Sequence, residues 1–191
     1  MARLFLVRHA HTEMAGRFCG ISDPPLSAKG IEQLPRLVRK LQENILQHIF
    51  CSDRLRARQT AEALAEAARL PICVLPDLRE MDFGQWEGLT WQEIEAQYPD
   101  YAPRWLHSFP ELSVPGGELF EHFQTRVRNV MDMIVGRARD ECAAVVTHAG
   151  VIRAHLLKPL GLSANAFTTI FCDYTSVWEL PSENGVWRLR E

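Results

Sequence analysis

Short apolar stretches alternate along the chain with longer segments of helical pattern. This alternation is typical of strands that alternate with helices and form a largely parallel sheet. The predicted strands cover 3–7, 48–51, 72–75 and 143–146, and the predicted helices begin after Ser27 and run over 54–68 and 119–137. We therefore predict an α/β fold with three α/β/α layers around a mostly parallel central sheet.

Two parts of the chain depart from this alternation. Between residues 82 and 117 the pattern dissolves into tryptophans, tyrosines and prolines, which predicts a small cap over one sheet edge and not a core element. Segments 168–180 and 186–189 are predicted as closing strands, antiparallel at an edge. In the first helix, Ser27 is a candidate N-cap, and Pro35 is expected to kink the helix or to mark its start.

Composition describes an ordinary globular chain. Its 191 residues, with 47% hydrophobic and 24% charged positions, fit a single domain over 1–191. The net charge of −3 gives no footprint for nucleic acid or a membrane surface, and no apolar run approaches the ~18 residues of a membrane span. The N-terminus has no secretory pattern and the five cysteines form no CxxC pair, so we expect a cytoplasmic protein.

Charged residues follow the predicted strands. In an open parallel sheet, ligands bind outside the carboxyl ends of the strands. Arg8 and His9 follow the first strand, and His148 follows the fourth. The second strand leads into segment 52–60, where a helix begins and its free N–H groups favour an anion. The third leads into 78–84, which brings carboxylates to the same rim.

This conjunction predicts a phosphate site with an acid beside it. Each residue alone also has a structural interpretation, since a single histidine after a strand is often only hydrogen-bonded. Two histidines and two arginines at neighbouring strand ends, however, would repel one another unless an anionic ligand compensated them. Phosphate suits this role because guanidinium groups bind its oxygens bidentately.

Four motifs carry a resemblance to a known family. The segments "LVRHAHT", "SDRLRARQTA", "LREMDFGQWEG" and "VVTHAGVIR" resemble the histidine phosphatase superfamily, also called phosphoglycerate mutase-like, in the expected order and across essentially the whole chain. The resemblance implies a phosphatase that needs no metal or other cofactor. It implies that His9 is the nucleophile that becomes phosphohistidine, that Arg8, Arg56 and His148 hold the phosphoryl oxygens, and that Glu80 is the acid and base.

The same resemblance suggests further contacts. It implies that Thr12, Cys19 and Gly20 lie near the phosphate, together with the backbone of Ala149 and Gly150. The remaining charged and aromatic residues of these motifs are interpreted as a solvated helix face (Arg54, Arg58), as structural carboxylates (Asp82, Glu87) and as packing side chains (Phe83, Trp86).

Three positions depart from the family pattern. Ala10, His11 and Ala15 occupy the places where the family often has Gly, Glu and Asn. The missing Asn removes one expected phosphate contact. His11 is either a substrate contact or a surface residue.

Substrate identity stays open within the family. The segments "PLSAKGIEQ" and "PGGE" and the Trp-rich cap are similar to bacterial alpha-ribazole phosphatases of cobalamin biosynthesis. Broad-specificity phosphatases, phosphoserine phosphatases and phosphoglycerate mutases are alternatives, although the short cap of low basicity favours hydrolysis over mutation. A small phosphomonoester is the expected partner, and the chain is either a monomer or a homodimer.

Two other classes of protein are also considered. A metallohydrolase could use His9 and His11 as ligands, and a non-catalytic phosphate-binding module could use the same fold.

Overall fold

The computed structural model describes residues 3–139, 141–183 and 186–187. In these ranges the strands are β1 (Arg3–Arg8), β2 (His48–Cys51), β3 (Ile72–Val74), β4 (Cys142–Thr147), β5 (Val177–Glu183) and β6 (Val186–Trp187). They form one sheet in the order β3-β2-β4-β1-β5-β6. The pairs β3–β2, β2–β4 and β4–β1 are parallel, and β5 is antiparallel to β1 and to β6. The predicted mostly parallel sheet with an antiparallel edge is therefore confirmed.

The closing strands differ from the prediction at their ends. Residues 164–169 form a 3-10 helix, and β5 begins only at Val177, so the predicted strand start at 168 is wrong. Residues 172–176 instead bind the end of β1, where Arg8 donates to the carbonyls of Cys172 and Ser176 and accepts the amide of Thr175. The predicted end of the last strand, at 188–189, lies outside the described residues.

Six α-helices connect or flank the strands in the described part of the chain. They are α1 (Ala28–Leu41), α2 (Leu55–Ala68), α3 (Trp91–Gln97), α4 (Tyr101–Ser108), α5 (Phe120–Arg137) and α6 (Ala149–Leu156). Ser27 caps α1 as predicted, because its Oγ accepts a hydrogen bond of 3.2 Å from the Gly30 amide. Pro35 lies inside α1 and does not mark its start. None of these helices is long and apolar enough to cross a bilayer.

Each face of the sheet has its own apolar core. Strand side chains alternate between faces, so Phe5 and Val7 pack with buried residues of α1 and α2. Leu4 and Leu6 pack on the other side, with residues of α5 and α6. This arrangement gives the three layers that the sequence predicts.

The 82–117 segment corrects one expectation. It was expected to lie outside the core, but Trp86 is fully buried and Trp105 is 7% exposed, and both belong to the cluster that contains Leu4 and Leu6. Their rings meet edge to face at 5.1 Å. Large aromatic rings bury enough apolar area to build a core without regular strands, so the cap is an extension of the core on this face of the sheet.

Candidate active site

The predicted strand exits meet at one edge of the sheet. The His9 amide donates to the carbonyl of Thr147 at 2.9 Å, which joins the end of β1 to the end of β4. As a result the rings of His9 and His148 lie 5.1 Å apart. Ser52, directly after β2, donates its amide to Val146 at 3.0 Å and joins the same edge. The parallel register of the strands therefore brings both histidines together.

His9 is held as a neutral imidazole. Its side chain is 6% exposed, and Nδ1 lies 2.8 Å from the Ala10 carbonyl, so Nδ1 carries the proton and Nε2 the lone pair. Burial, followed by the nearby Arg56 and Arg8 guanidinium groups, lowers the pKa of His9 well below its usual value. At neutral pH this histidine therefore presents an unprotonated nitrogen.

His148 lies behind the surface and is fully buried. It precedes α6, and its Nε2 lies 2.9 Å from the Ser52 hydroxyl. Burial, and then the nearby Arg56 guanidinium group, lowers the pKa of His148 well below its usual value. Its buried Nδ1 has no hydrogen-bond partner among the described residues, so it can make one more hydrogen bond.

Arg8 is fixed by the segment that leads into β5. Its Nη1 donates to the Cys172 carbonyl at 2.6 Å, and its guanidinium carbon lies 3.9 Å from the centre of the Tyr174 ring. The main chain of Arg8 is bonded to Ser176 at 3.1 Å and to Thr175 at 3.2 Å. Within the described ranges, no carboxylate lies at ion-pair distance from Arg8. Its charge is therefore available to a ligand.

Arg56 is a buried cation surrounded by carbonyl oxygens. It is 1% exposed, and its two terminal nitrogens donate to Ser22 at 2.7 Å, Cys19 at 3.0 Å and Gly20 at 3.2 Å. The residues described here supply it with no carboxylate partner. Arg58 is exposed on α2, as expected for side chains about 200° apart around a helix axis.

Glu80 rests on the first turn of α6. Its Oε2 accepts the Gly150 amide at 2.9 Å, and its Oε1 accepts the Met81 amide at 3.0 Å. The helix dipole favours a carboxylate in this place. A Cβ on Gly150 would lie 2.0 Å from Oε1 of Glu80, so only glycine leaves room for this carboxylate.

A cavity of about 240 Å³ opens at this edge of the sheet. What we call the basic wall consists of Arg8, His9 and Arg56, and what we call the apolar wall consists of Met14, Phe18, Phe83 and Trp91. The cavity is also lined by Thr12, Gly16, Arg17, Cys19, Glu80, Arg153 and Tyr174.

The cavity contains many of the predicted site residues but not all. Arg8, His9, Arg56, Glu80, Thr12 and Cys19 line it, and His148 lies behind His9. Gly20, Ala149 and Gly150 are not among the lining residues. The Gly150 amide already donates to Glu80, and the Gly20 amide donates to Glu87 at 2.7 Å. Contacts of these three residues with a substrate stay predictions.

The lining of the cavity carries more positive than negative groups. Four arginines line it, at positions 8, 17, 56 and 153. Arg17 forms an ion pair with Glu93 at 2.9 Å, and Glu80 contributes a carboxyl group to the same lining. The arginines outnumber these two carboxyl groups whether or not Glu80 is protonated, so the cavity favours an anionic ligand such as a phosphomonoester.

Several site residues were not predicted from the sequence. Ser52 opens one of the quoted motifs and could have been found there. Arg153 closes another of the quoted motifs and is oriented by the Ile170 carbonyl at 2.9 Å. Tyr174 carries no such signal, because its place depends on the return of the chain to β5. Phe83, interpreted as a packing residue, packs against Phe18 at 5.0 Å and also lines the cavity.

The two open questions about His11 and a metal site are also answered in part. His11 is half-buried, its Nδ1 lies 2.8 Å from the Ser27 hydroxyl, and it is not among the lining residues. In the ranges that the structure describes, no three His, Cys, Asp or Glu residues are grouped so that they could hold a metal ion. The metallohydrolase alternative therefore has no ligand set there.

Comparison with known proteins identifies the family of the chain. The model of the histidine phosphatase superfamily (branch 1) matches residues 4–191. The chain is 32% identical over 178 residues to phosphoserine phosphatase 1 of Hydrogenobacter thermophilus, covering 92% of this chain and 84% of that protein. It is 31% identical to the adenosylcobalamin/alpha-ribazole phosphatase of Salmonella typhimurium, covering 97% and 88%.

A solved structure gives the same result for the fold. The alpha-ribazole phosphatase of Shigella flexneri matches with a TM-score of 0.88 and 26% identity, covering 98% of this chain and 94% of that one. Similarity thus extends over nearly the full length in both sequence and structure. The chain belongs to the histidine phosphatase superfamily (branch 1).

Proposed function

We propose that the protein hydrolyses phosphomonoesters through a phosphohistidine on His9, without a metal ion. The observation that carries this proposal is the state of His9. Its Nδ1 is bound to the Ala10 carbonyl at 2.8 Å, and burial and two arginines keep its pKa low. A neutral imidazole whose other nitrogen is fixed by a hydrogen bond is a competent nucleophile at neutral pH.

In the first step, Nε2 of His9 attacks phosphorus and the bond from phosphorus to the leaving oxygen breaks. Protonated Glu80 gives its proton to that oxygen, so an alcohol leaves and a carboxylate is left behind. Arg8 and Arg56 stabilise the negative charge on the transferring oxygens, because charged donors act most strongly in a water-poor site. His148 lies beside His9 and its free Nδ1 is a further candidate for hydrogen bonding to an oxygen.

In the second step, water attacks the phosphohistidine. Glu80, now ionised, accepts a proton from the water, the bond from phosphorus to nitrogen breaks, and orthophosphate leaves. Glu80 ends the cycle protonated and His9 neutral. The same carboxyl group thus serves as acid and as base.

For the substrate, alpha-ribazole 5'-phosphate is the first candidate. The relative from Salmonella typhimurium and the structure from Shigella flexneri bear the name of that activity, and the apolar wall fits an aromatic leaving group. Phosphoserine is the second candidate, favoured by the name of the Hydrogenobacter relative. The short cap of low basicity over 82–117 supports hydrolysis over a mutase that must bind a second acidic group.

A trapping experiment tests the proposal. Protein mixed with a phosphate-labelled aryl phosphate and quenched within milliseconds should carry an acid-labile, base-stable label. His9→Ala should carry none, and its turnover should fall by at least ~10⁴-fold. His11→Ala is the matched control, since His11 is an imidazole two positions away that does not line the cavity. A label that persists in His9→Ala would reassign the nucleophile to His148.

A further inference from the structure

Glu87 is a half-buried carboxylate that binds one loop of the main chain. Its two oxygens accept the amides of Gly20 at 2.7 Å, Ile21 at 2.9 Å and Ser22 at 3.3 Å, and the Ser22 hydroxyl at 2.8 Å. The Phe83 amide also donates to it, at 3.3 Å. So many donors on one side chain fix the position of the loop, since hydrogen bonds to an ionised acceptor are the strong ones.

The same loop holds Arg56 through its carbonyl groups. Arg56 donates to the carbonyls of Cys19, Gly20 and Ser22. The carbonyl of Cys19 and the amide of Gly20 belong to one peptide unit, and the carbonyl of Gly20 and the amide of Ile21 belong to the next. In a trans peptide, carbonyl and amide point in opposite directions. Glu87 and Arg56 therefore lie on opposite sides of the loop and are joined by two peptide groups.

We propose that Glu87 is a positioning residue, which acts on the phosphoryl group through the 19–22 loop and Arg56. The carboxylate polarises the two peptide units, which makes their carbonyl oxygens better acceptors for the guanidinium group. It also fixes where those oxygens lie, and thereby where the guanidinium group points. The proposal rests on the proposed function, in which Arg56 holds the phosphoryl oxygens.

The packing around Gly20 supports a rigid link. A Cβ on Gly20 would lie 1.9 Å from the Met81 carbonyl oxygen and 2.6 Å from Oε1 of Glu87. The loop is therefore in close contact with the segment that carries both Glu80 and Glu87. If the Glu87 carboxylate is removed, three backbone amides of the 19–22 loop lose their acceptor, and the loop is then free to move away from Arg56.

A double-mutant cycle tests whether Glu87 acts through Arg56. Glu87→Ala should lower kcat/KM for an aryl phosphate by roughly 10–100-fold, as loss of supporting hydrogen bonds around a reactive centre does. In an Arg56→Ala background, the same change should cost no more than about threefold, because the group that Glu87 positions is gone. Most of the loss in the single variant should appear in kcat, since the contact of Arg56 with phosphate grows in the transition state.

Binding of inorganic phosphate to the full-length protein supplies a readout besides turnover. Calorimetry should show that Glu87→Ala weakens orthophosphate about tenfold, again only when Arg56 is present. Glu87→Gln, which keeps the size of the side chain but turns an NH₂ group toward backbone amides, should show an intermediate loss and gives a second variant if Glu87→Ala does not fold. Asp82→Asn is the matched control, because Asp82 lies in the same segment and its carboxylate accepts the Gly84 amide, at 2.8 Å, and no amide of the 19–22 loop among the residues described.

The outcomes separate this proposal from the proposed function. Additive effects in the cycle, or a Glu87→Ala variant with the parent's kcat/KM, would overturn the role of Glu87 alone. An Arg56→Ala variant with the parent's activity would overturn the phosphate site itself, and the role of Glu87 with it.

Discussion

The two walls of the cavity are built in different ways. The basic wall is set at strand ends and at the first turn of α2, where main-chain hydrogen bonds fix Arg8 and His9 and three carbonyls hold Arg56. The apolar wall comes from the loop before α1 and from the cap. It is held by contacts between side chains, as between Phe18 and Phe83 at 5.0 Å and between Phe18 and the core residue Trp86 at 5.7 Å. A wall fixed by the sheet suits the phosphoryl group, which all phosphomonoesters share. A wall made of side-chain contacts suits the leaving group, which differs between substrates. Substitutions in the two walls should therefore have different signatures.

After His9, Glu80 should give the largest effect, and one that depends on the leaving group. Glu80→Gln removes the proton donor, so substrates with basic alkoxide leaving groups, such as ribose or serine phosphates, should lose roughly 10²–10⁴-fold in kcat/KM. An activated aryl phosphate needs little acid help in the first step but still needs a base in the second. Rapid mixing should then show a burst of phenol near the enzyme concentration, followed by slow turnover.

Asp82→Asn serves as the control for this prediction. Asp82 lies two positions away, its carboxylate accepts the Gly84 amide, and it is not among the residues that line the cavity, so both kinetic phases should stay close to those of the parent. If Asp82→Asn gave the burst and Glu80→Gln behaved like the parent, the acid would be Asp82.

Arg56 should give the next largest effect, and one that all substrates share. Arg56→Ala should cost roughly 10²–10³-fold in turnover, because the buried guanidinium group stabilises charge on the phosphoryl oxygens in the transition state. The loss should be similar for alkyl and aryl phosphates. Arg58→Ala, on the exposed side of α2, should change little. Equal effects of the two substitutions would contradict the assignment of the helix face.

Acid stability compares the buried histidines of the site with one outside it. Burial lowers the pKa of His155 to about 4 and leaves its Nε2 without a hydrogen-bond partner among the described residues. The neutral form is thus favoured in the folded state, so stability is complete above about pH 6.5 and is lost as pH falls toward 4. Replacing His155 should therefore reduce the loss of unfolding free energy between pH 7 and pH 4 by about 3 kcal/mol.

The measurement is urea unfolding of His155→Leu and of the parent at several pH values. His9 and His148 have pKa values lowered for the same reason, so the variant should still lose some stability in acid. Identical pH dependence in the two proteins would show that His155 contributes nothing.

Phe83 should give the smallest effect, confined to the apolar wall. Phe83→Ala should weaken kcat/KM about tenfold for phosphates with an aromatic leaving group, because ~1–2 kcal/mol of apolar contact is lost. Small alkyl phosphates should be nearly unaffected, and the change should lie in KM. Leu106→Ala is the control, since Leu106 is exposed on α4 in the same cap and does not line the cavity. A uniform loss across all leaving groups would contradict the distinction between the walls.

The sequence predicts the basic wall better than the apolar one, for a physical reason. An apolar run that ends in Arg8 and His9 indicates both the strand and the place where the chain leaves it. Because the strands are parallel, their carboxyl ends meet at one edge of the sheet. The loop that holds Arg56 leaves no such trace, because its carbonyl groups are the same in every residue type. The sequence does not indicate a role for Tyr174 either, since Tyr174 and Arg8 belong to parts of the chain that only the sheet brings together.

The cap shows a second limit of prediction from the sequence. Because its tryptophans follow no helical or strand period, the sequence predicts a cap and not a core element. The structure instead places Trp86 in the core, where ring shape and size decide the packing. Periodicity detects which face of an element is apolar, but it does not detect a core made of irregular aromatic contacts.

The attachment of Arg8 to residues 172–176 sets the order in which a newly made chain can become competent. His9 and Arg56 leave the ribosome well before Cys172, because the Cys172 carbonyl that holds Arg8 lies 164 positions after Arg8. Until that segment emerges, β1 lacks its neighbour β5 and Arg8 lacks both Cys172 and Tyr174. A nascent chain therefore carries its nucleophile long before it carries a finished anion site, and catalytic competence is expected only after residues 172–176 have emerged.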